Sequence, residues 1–145
     1  MAGIALVVLG TGCSRASPPS EADGNQEVRE RIEAEADGRI KLLSFRKTDG
    51  QASDVHGVRR YELDWEGEIE FLEDCAWGPF LYSGREAPWQ GRFKTLPMSA
   101  EVDSRSDSEK RSEWLRMRAV KKGEKVKCSG SLKYEESESG WRVAN

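Results

Sequence analysis

Tyr61-Glu62-Leu63-Asp64-Trp65-Glu66-Gly67-Glu68-Ile69-Glu70-Phe71 sets an apolar or small residue against an acid at every step. Successive side chains of a β-strand point to opposite faces, so this pattern reads as one long strand, apolar on one face and solvated on the other. Gly67 at its centre permits a bend. A strand of this kind needs partners with the same one-sided pattern.

Those partners lie on both sides in the chain. Ile40 to Gly50 reads as a strand, the doubled Leu42-Leu43 marks a bulge, and Asp49-Gly50 is a turn signal. Near the C-terminus Val126, Cys128, Gly130, Leu132 and Tyr134 alternate with Lys125, Lys127, Ser129, Ser131, Lys133 and Glu135. A turn over Glu136 to Gly140 returns the chain to Trp141-Arg142-Val143, a closing hairpin with Trp141 and Val143 towards the core. The acids Glu62 to Glu70 are expected opposite Lys125, Lys127 and Lys133, each pair contributing roughly 0.2–1 kcal/mol. Arg92-Phe93-Lys94-Thr95-Leu96 is a short strand candidate before Pro97, and the Ser/Asp/Glu-rich stretch 99–111 reads as a solvent loop.

Ahead of the strands, Asn25 is suited to cap a helix that carries Glu27 in its first turn and stops at Gly38. Val28, Ile32 and Ala36 form its narrow apolar stripe, suited to lying across a sheet. The expected fold is α+β: one N-terminal helix packed on a curved antiparallel sheet of about four long strands, in a single domain over 26–145.

Composition agrees with a thin core. Of the 145 residues 37% are hydrophobic, below the usual share, and five Trp, four Phe and three Tyr partly compensate. Charged residues are 34%, which excludes a membrane-spanning bundle. The 23 basic and 26 acidic residues are interspersed, so no basic stripe marks a nucleic-acid footprint.

The N-terminus has another character. Ile4-Ala5-Leu6-Val7-Val8-Leu9 is too short to span a bilayer and is followed by Gly10-Thr11-Gly12-Cys13 and then by polar, Pro- and Ser-containing chain. This resembles a bacterial lipoprotein signal: 1–12 as signal peptide, Cys13 as the lipidated first mature residue, 13–25 as a polar tether. Two positions depart from the usual pattern, since no Lys or Arg precedes the apolar run and Gly10 stands three before the Cys. The resemblance implies a bacterial cell-envelope location, attached to a membrane through Cys13 and facing periplasm or exterior. In such a compartment Cys75 and Cys128 either bridge or remain two small buried thiols.

The element order, with Gly140-Trp141 late in the last hairpin, resembles the cystatin-like and NTF2-like group of helix-on-curved-sheet domains. Ser44-Phe45-Arg46-Lys47-Thr48-Asp49-Gly50, Gly57-Val58, Tyr61-Glu62-Leu63, Phe71-Leu72-Glu73-Asp74-Cys75 with Trp77, and Gly123-Glu124 look like an uncharacterised family of small bacterial envelope proteins. That resemblance spans residues 28–143 and transfers no catalytic residue.

Catalytic patterns are sparse. The sequence carries no GxSxG, P-loop, HExxH or dinucleotide fingerprint, and no cofactor is expected. His56, the single histidine, sits beside Gly57 in an expected hairpin turn, a poor place for a general base. It cannot complete a Cys/His zinc site, and the diverging acids of one strand do not form a calcium cage. Glu73 and Asp74 are the weak catalytic candidates: buried in the concave sheet, a carboxylate gains a raised pKa, whereas beyond the strand end both face water, paired with Arg85 or Arg92. Trp77, Phe80, Tyr82, Trp89 and Phe93, in a Gly/Pro-rich segment, form either a binding loop or a lid over the core, and the low apolar share favours the lid. The expected function is a lipid-anchored, non-catalytic domain binding an envelope protein or small ligand. The alternative is a small NTF2-like enzyme.

Overall fold

The computed structural model describes residues 15–78 and 93–144. In chain order the elements are α1 (Glu21–Glu35), β1 (Ile40–Val55), β2 (Val58–Phe71), β3 (Cys75–Trp77), β4 (Thr95–Pro97), α2 (Ala100–Ser104), α3 (Ser108–Leu115), β5 (Arg118–Val120), β6 (Lys125–Ser137) and β7 (Gly140–Val143). The fold is α+β, and the main sheet is antiparallel in the order β1-β2-β6-β7.

β2 carries the fold as its alternation requires. Tyr61, Leu63, Trp65, Ile69 and Phe71 are buried, and β6 pairs along it with Lys125 opposite Glu70, Lys127 opposite Glu68 and Lys133 opposite Glu62. Ion pairs on the sheet include Arg46–Glu66 at 2.6 Å and Arg60–Glu135 at 3.0 Å. The bulge falls at Leu43, where the β1–β2 register shifts between Leu42 and Ser44. Gly67 lies beside it because a Cβ there would overlap the Ser44 carbonyl oxygen.

The Asp49-Gly50 turn is a correction. β1 continues to Val55, with a second register shift between Lys47 and Asp49, and the chain reverses at His56-Gly57. These two residues have φ of 54° and 79°, the pair of positive values that a two-residue hairpin requires. Gly50 stays in the ladder opposite Leu63. The continuous pairing surface of β2 outweighs the local turn preference, and the missing Cβ makes room for the Tyr61 ring.

α1 begins earlier than Asn25. Ser20 caps it: its Oγ accepts from Asp23 N at 3.3 Å while the Asp23 carboxylate accepts from Ser20 N at 2.7 Å. Two reciprocal bonds outcompete a single Asn cap, and Asn25 Oδ1 instead accepts from Arg29 Nε at 3.0 Å. The extended stretch therefore ends at residue 20, not 25. Val28, Ile32 and Ala36 are buried as their spacing predicts. Gly24 is buried too, because a Cβ there would come within 2.9 Å of Phe45 and 3.2 Å of Leu63.

Only three of the main-sheet strands are long, since β7 has four residues. The remaining strands form a second sheet, order β4-β3-β5, that sequence periodicity did not announce. The stretch 99–111 is not loop: it holds α2 and the start of α3. Asp107 caps α3 by accepting from Glu109 N and Lys110 N at 3.0 and 3.1 Å. α3 buries no residue, so it has no apolar stripe to read.

One hydrophobic cluster spans both sheets. Leu42, Leu63, Trp65, Ile69, Phe71 and Leu132 meet Val28 and Ile32 of α1, and Cys75, Trp77, Phe93 and Val120 continue the cluster into the second sheet. The Phe71 and Trp77 rings lie 5.3 Å apart at the junction. The C-terminal end of α1 is fastened there as well, with Thr95 Oγ1 donating to Ala36 O at 2.7 Å and Phe93 N to Glu35 Oε2 at 2.6 Å.

Candidate functional site

The β6–β7 register puts Tyr134 opposite Val143 and Glu136 opposite Trp141. Tyr134 and Trp141 are therefore diagonal neighbours on the face that carries α1. Asp23, Gln26, Glu27 and Glu30 recur on α1 at i, i+3, i+4 and i+7, a single polar stripe beside the apolar one. Between the stripe and the two aromatics lies a cleft of about 390 Å³, lined also by Ser17 and Pro19 of the chain entering α1. That volume lies within the range of small-ligand sites.

Its floor and rim differ in chemistry. Tyr134 is 5% exposed, and neither its hydroxyl nor the buried Trp141 Nε1 has a hydrogen-bond partner among the described residues. Burial, reinforced by the negative charges of Glu27 and Asp23 and opposed by Arg31, pushes the Tyr134 hydroxyl up to about 12. It is therefore protonated at physiological pH, able to donate and to accept, whereas the indole N–H is donor only. Trp141 is held in place by Arg59, 5.3 Å from its ring, and by the edge of Tyr61 at 6.1 Å between centroids. Arg59 is fixed in turn by both Glu136 oxygens, at 2.9 and 3.1 Å.

The rim is acidic and partly engaged. Asp23 accepts from Ser20, which holds its carboxyl below the usual aspartate range. Glu27 pairs with Arg31 at 2.8 Å, and Glu30 accepts from Gln26 Nε2 at 2.9 Å. The arrangement offers carboxylate acceptors on the α1 side and aromatic surface on the hairpin side, with the polar tips of Tyr134 and Trp141 buried beneath.

The residues singled out from sequence lie elsewhere. Glu73 and Asp74 follow the end of β2 at Phe71, so the inward phase is not continued. Glu73 contacts Arg39 Nε at 2.5 Å, an ion pair without aligned hydrogen-bond geometry. Asp74 accepts from Lys122 N at 2.9 Å and Lys121 Nζ at 3.2 Å, bonds that keep its carboxyl below the usual range. Both carboxylates are about half exposed, and neither lines the cleft.

Cys75 and Cys128 are free and buried on different sheets, so of the two alternatives the chain holds two buried thiols and no bridge. Burial raises both thiols, that of Cys128 to about 12. Trp77 and Phe93 belong to the core, whereas Cys13, Phe80, Tyr82 and Trp89, with Arg85 and Arg92, lie outside the described residues. On the outer face a shallow groove runs past Ser44, Glu66, Gly67, Lys127 and Cys128. Among the described residues no group of three or more His, Cys, Asp or Glu could hold a metal ion, and no helix is long and apolar enough to cross a membrane.

Tyr134 and Trp141 were legible from sequence only as inward-facing strand residues. The available signal was that both carry polar tips and that α1 presents its acids in register. Compared with protein-family models, curated proteins and solved structures, the chain has no match.

Proposed function

We propose that this chain is a lipid-anchored, non-catalytic domain of a bacterial envelope, cystatin-like or NTF2-like in its helix-on-sheet arrangement, that binds a protein or small ligand. The observation that carries the reading is the cleft of about 390 Å³ that Tyr134 and Trp141 line together with Asp23, Glu27 and Glu30 of α1. The cleft also borders Ser17, four residues from Cys13, a separation of at most about 14 Å of chain. An acylated Cys13 would thus hold the cleft close to a membrane surface. The enzyme alternative draws less support, because Glu73 and Asp74 are engaged in surface ion pairs.

Mass spectrometry of the membrane-extracted protein tests the anchor. Diacylglyceryl Cys13 as the first residue is expected, with Cys13→Ser moving the chain to the soluble fraction. An intact Met1 on a cytosolic chain would overturn it.

A further inference from the structure

We propose that the open edge of β6 over residues 125–132 takes up an extended segment of a partner protein as an added antiparallel strand, with acidic side chains beside Lys125 and Lys127. This edge is separate from the α1 cleft, and the inference does not depend on how that cleft is read.

Hydrogen bonding along β6 fixes which backbone groups the edge offers. The β2–β6 register runs without a shift from Arg60 opposite Glu135 to Glu70 opposite Lys125. Phe71 N bonds Glu124 O and Gly123 N bonds Phe71 O, and hydrogen-bonded pairs recur at every second residue of an antiparallel ladder. Val126, Cys128, Gly130 and Leu132 therefore turn N–H and C=O towards β2, and the odd-numbered residues turn theirs away. The bond from Ala144 N to Lys133 O, on the far side, agrees. β7 accompanies β6 only over Tyr134–Ser137. The N–H and C=O groups of Lys127, Ser129 and Ser131 thus have no backbone partner among the described residues. All three residues are exposed.

Among the described strands no other edge matches it. β1 is interrupted by register shifts after Leu42 and Lys47, and the Glu21 carboxylate accepts from Lys47 N at 3.0 Å. Such features keep an edge from pairing. β4 and β5 have three residues each and β7 has four. An unbroken edge with evenly spaced donors and acceptors is the seat that strand addition uses.

Charge identifies the occupant. Lys125, Lys127 and Lys133 stand on the solvated face opposite Glu70, Glu68 and Glu62, yet none of the three makes an ion pair among the described residues. A strand added to the open edge lies about 4.8 Å from β6, as near as β2 on the other side. Acids directly opposite Lys125 and Lys127 gain a cross-strand pair each. A second copy fits poorly, because its β6 edge brings further lysines and its β1 carries Lys41 and Arg46. On the inward face Val126 and Gly130 are half-buried, so β-branched side chains of the added strand gain cover there.

The test uses the full chain in detergent micelles and the peptide acetyl-Val-Thr-Val-Thr-Val-Glu-Val-Glu-amide. Before peptide is added, amide hydrogen exchange should alternate along the strand, fast at Lys127, Ser129 and Ser131 and slow at Cys128, Gly130 and Leu132. Peptide, followed by amide chemical shifts, should bind saturably at submillimolar concentration and protect the three fast amides. N-methylation of its fourth and sixth residues, whose N–H groups face β6, should weaken binding about tenfold or more by removing two backbone hydrogen bonds. N-methylation of the third and fifth, whose N–H groups face away, should leave affinity within about twofold. Replacing both peptide Glu residues by Lys should weaken binding about three- to tenfold, and Lys125→Gln with Lys127→Gln should erase that difference. Ser129→Pro, which removes an N–H that the β2–β6 ladder does not use, should abolish binding and leave the amides of Cys128 and Leu132 protected. Slow exchange at Lys127, Ser129 and Ser131 in the free chain would show the edge already covered and overturn the proposal. So would the absence of saturable binding, binding that survives N-methylation of the fourth and sixth residues, or equal affinity for the Glu and Lys peptides. Protection of the same amides that grows with protein concentration alone would assign the edge to a second copy and overturn the acidic partner.

Discussion

Tyr134 and Cys128 lie on one strand, face inwards, and hold their protons against burial. The sign of the consequence follows from linkage. Both groups bind a proton more tightly folded than unfolded, so their contribution is intact below the unfolded values, about 8.5 for a thiol and 10 for a phenol. It is lost as pH rises towards about 12, the value that each reaches in the folded chain. Urea midpoints should therefore fall across the alkaline range, and Tyr134→Phe should flatten the upper part of that fall; an unchanged slope would mean that the hydroxyl is solvated. The thiols make a second prediction. Cys75 and Cys128 are free and buried, and only the thiolate reacts. With Cys13→Ser, native protein should react slowly with a thiol reagent at pH 8 and expose two thiols on unfolding. A mass gain of about two hydrogens after reduction alone would instead reveal a bridge.

At the scale of elements, α1 shows how local and tertiary signals divide. Its apolar stripe was readable because Val28, Ile32 and Ala36 keep helical spacing. Its start is not legible at Gly24 and Asn25, which look like the end of a linker, because the Ser20–Asp23 capping box begins the helix earlier. At Gly24 α1 passes close against Phe45 and Leu63. Gly24→Leu should raise intrinsic helix preference and still destabilise the fold by about 1–3 kcal/mol through overpacking, as read in a denaturant titration. Stabilisation would show that the contact is slack. The β1–β2 hairpin teaches the same lesson in reverse. Leu42-Leu43 announced the bulge correctly, yet Asp49-Gly50 remained in the strand because a long partner surface was available. The Tyr134–Trp141 cleft was hidden for a related reason: its rim and floor come from elements about a hundred residues apart, and no local pattern records that juxtaposition.

For the molecule as a whole, the two sheets share one hydrophobic cluster, joined at Phe71 and Trp77. Leu72 N bonds Arg39 O at 2.9 Å, and Gly123 N bonds Phe71 O at 2.7 Å, so backbone bonds of the main sheet continue up to the junction. The expectation is one cooperative transition, with tryptophan fluorescence and far-ultraviolet circular dichroism coincident. Trp77→Ala should cost about 3–5 kcal/mol and lower both signals together. Separate transitions would show that the small sheet melts alone. By itself the sequence determined the main sheet, because period-two alternation in β2 and β6 leaves a strand only one way to bury its apolar face. It also determined that a helix with a narrow stripe covers that face. Only the tertiary structure decided the second sheet, the free state of the two thiols and the cleft. Short strands and α3 carry no apolar period, and a site built from α1, β6 and β7 exists only once the chain has brought them together.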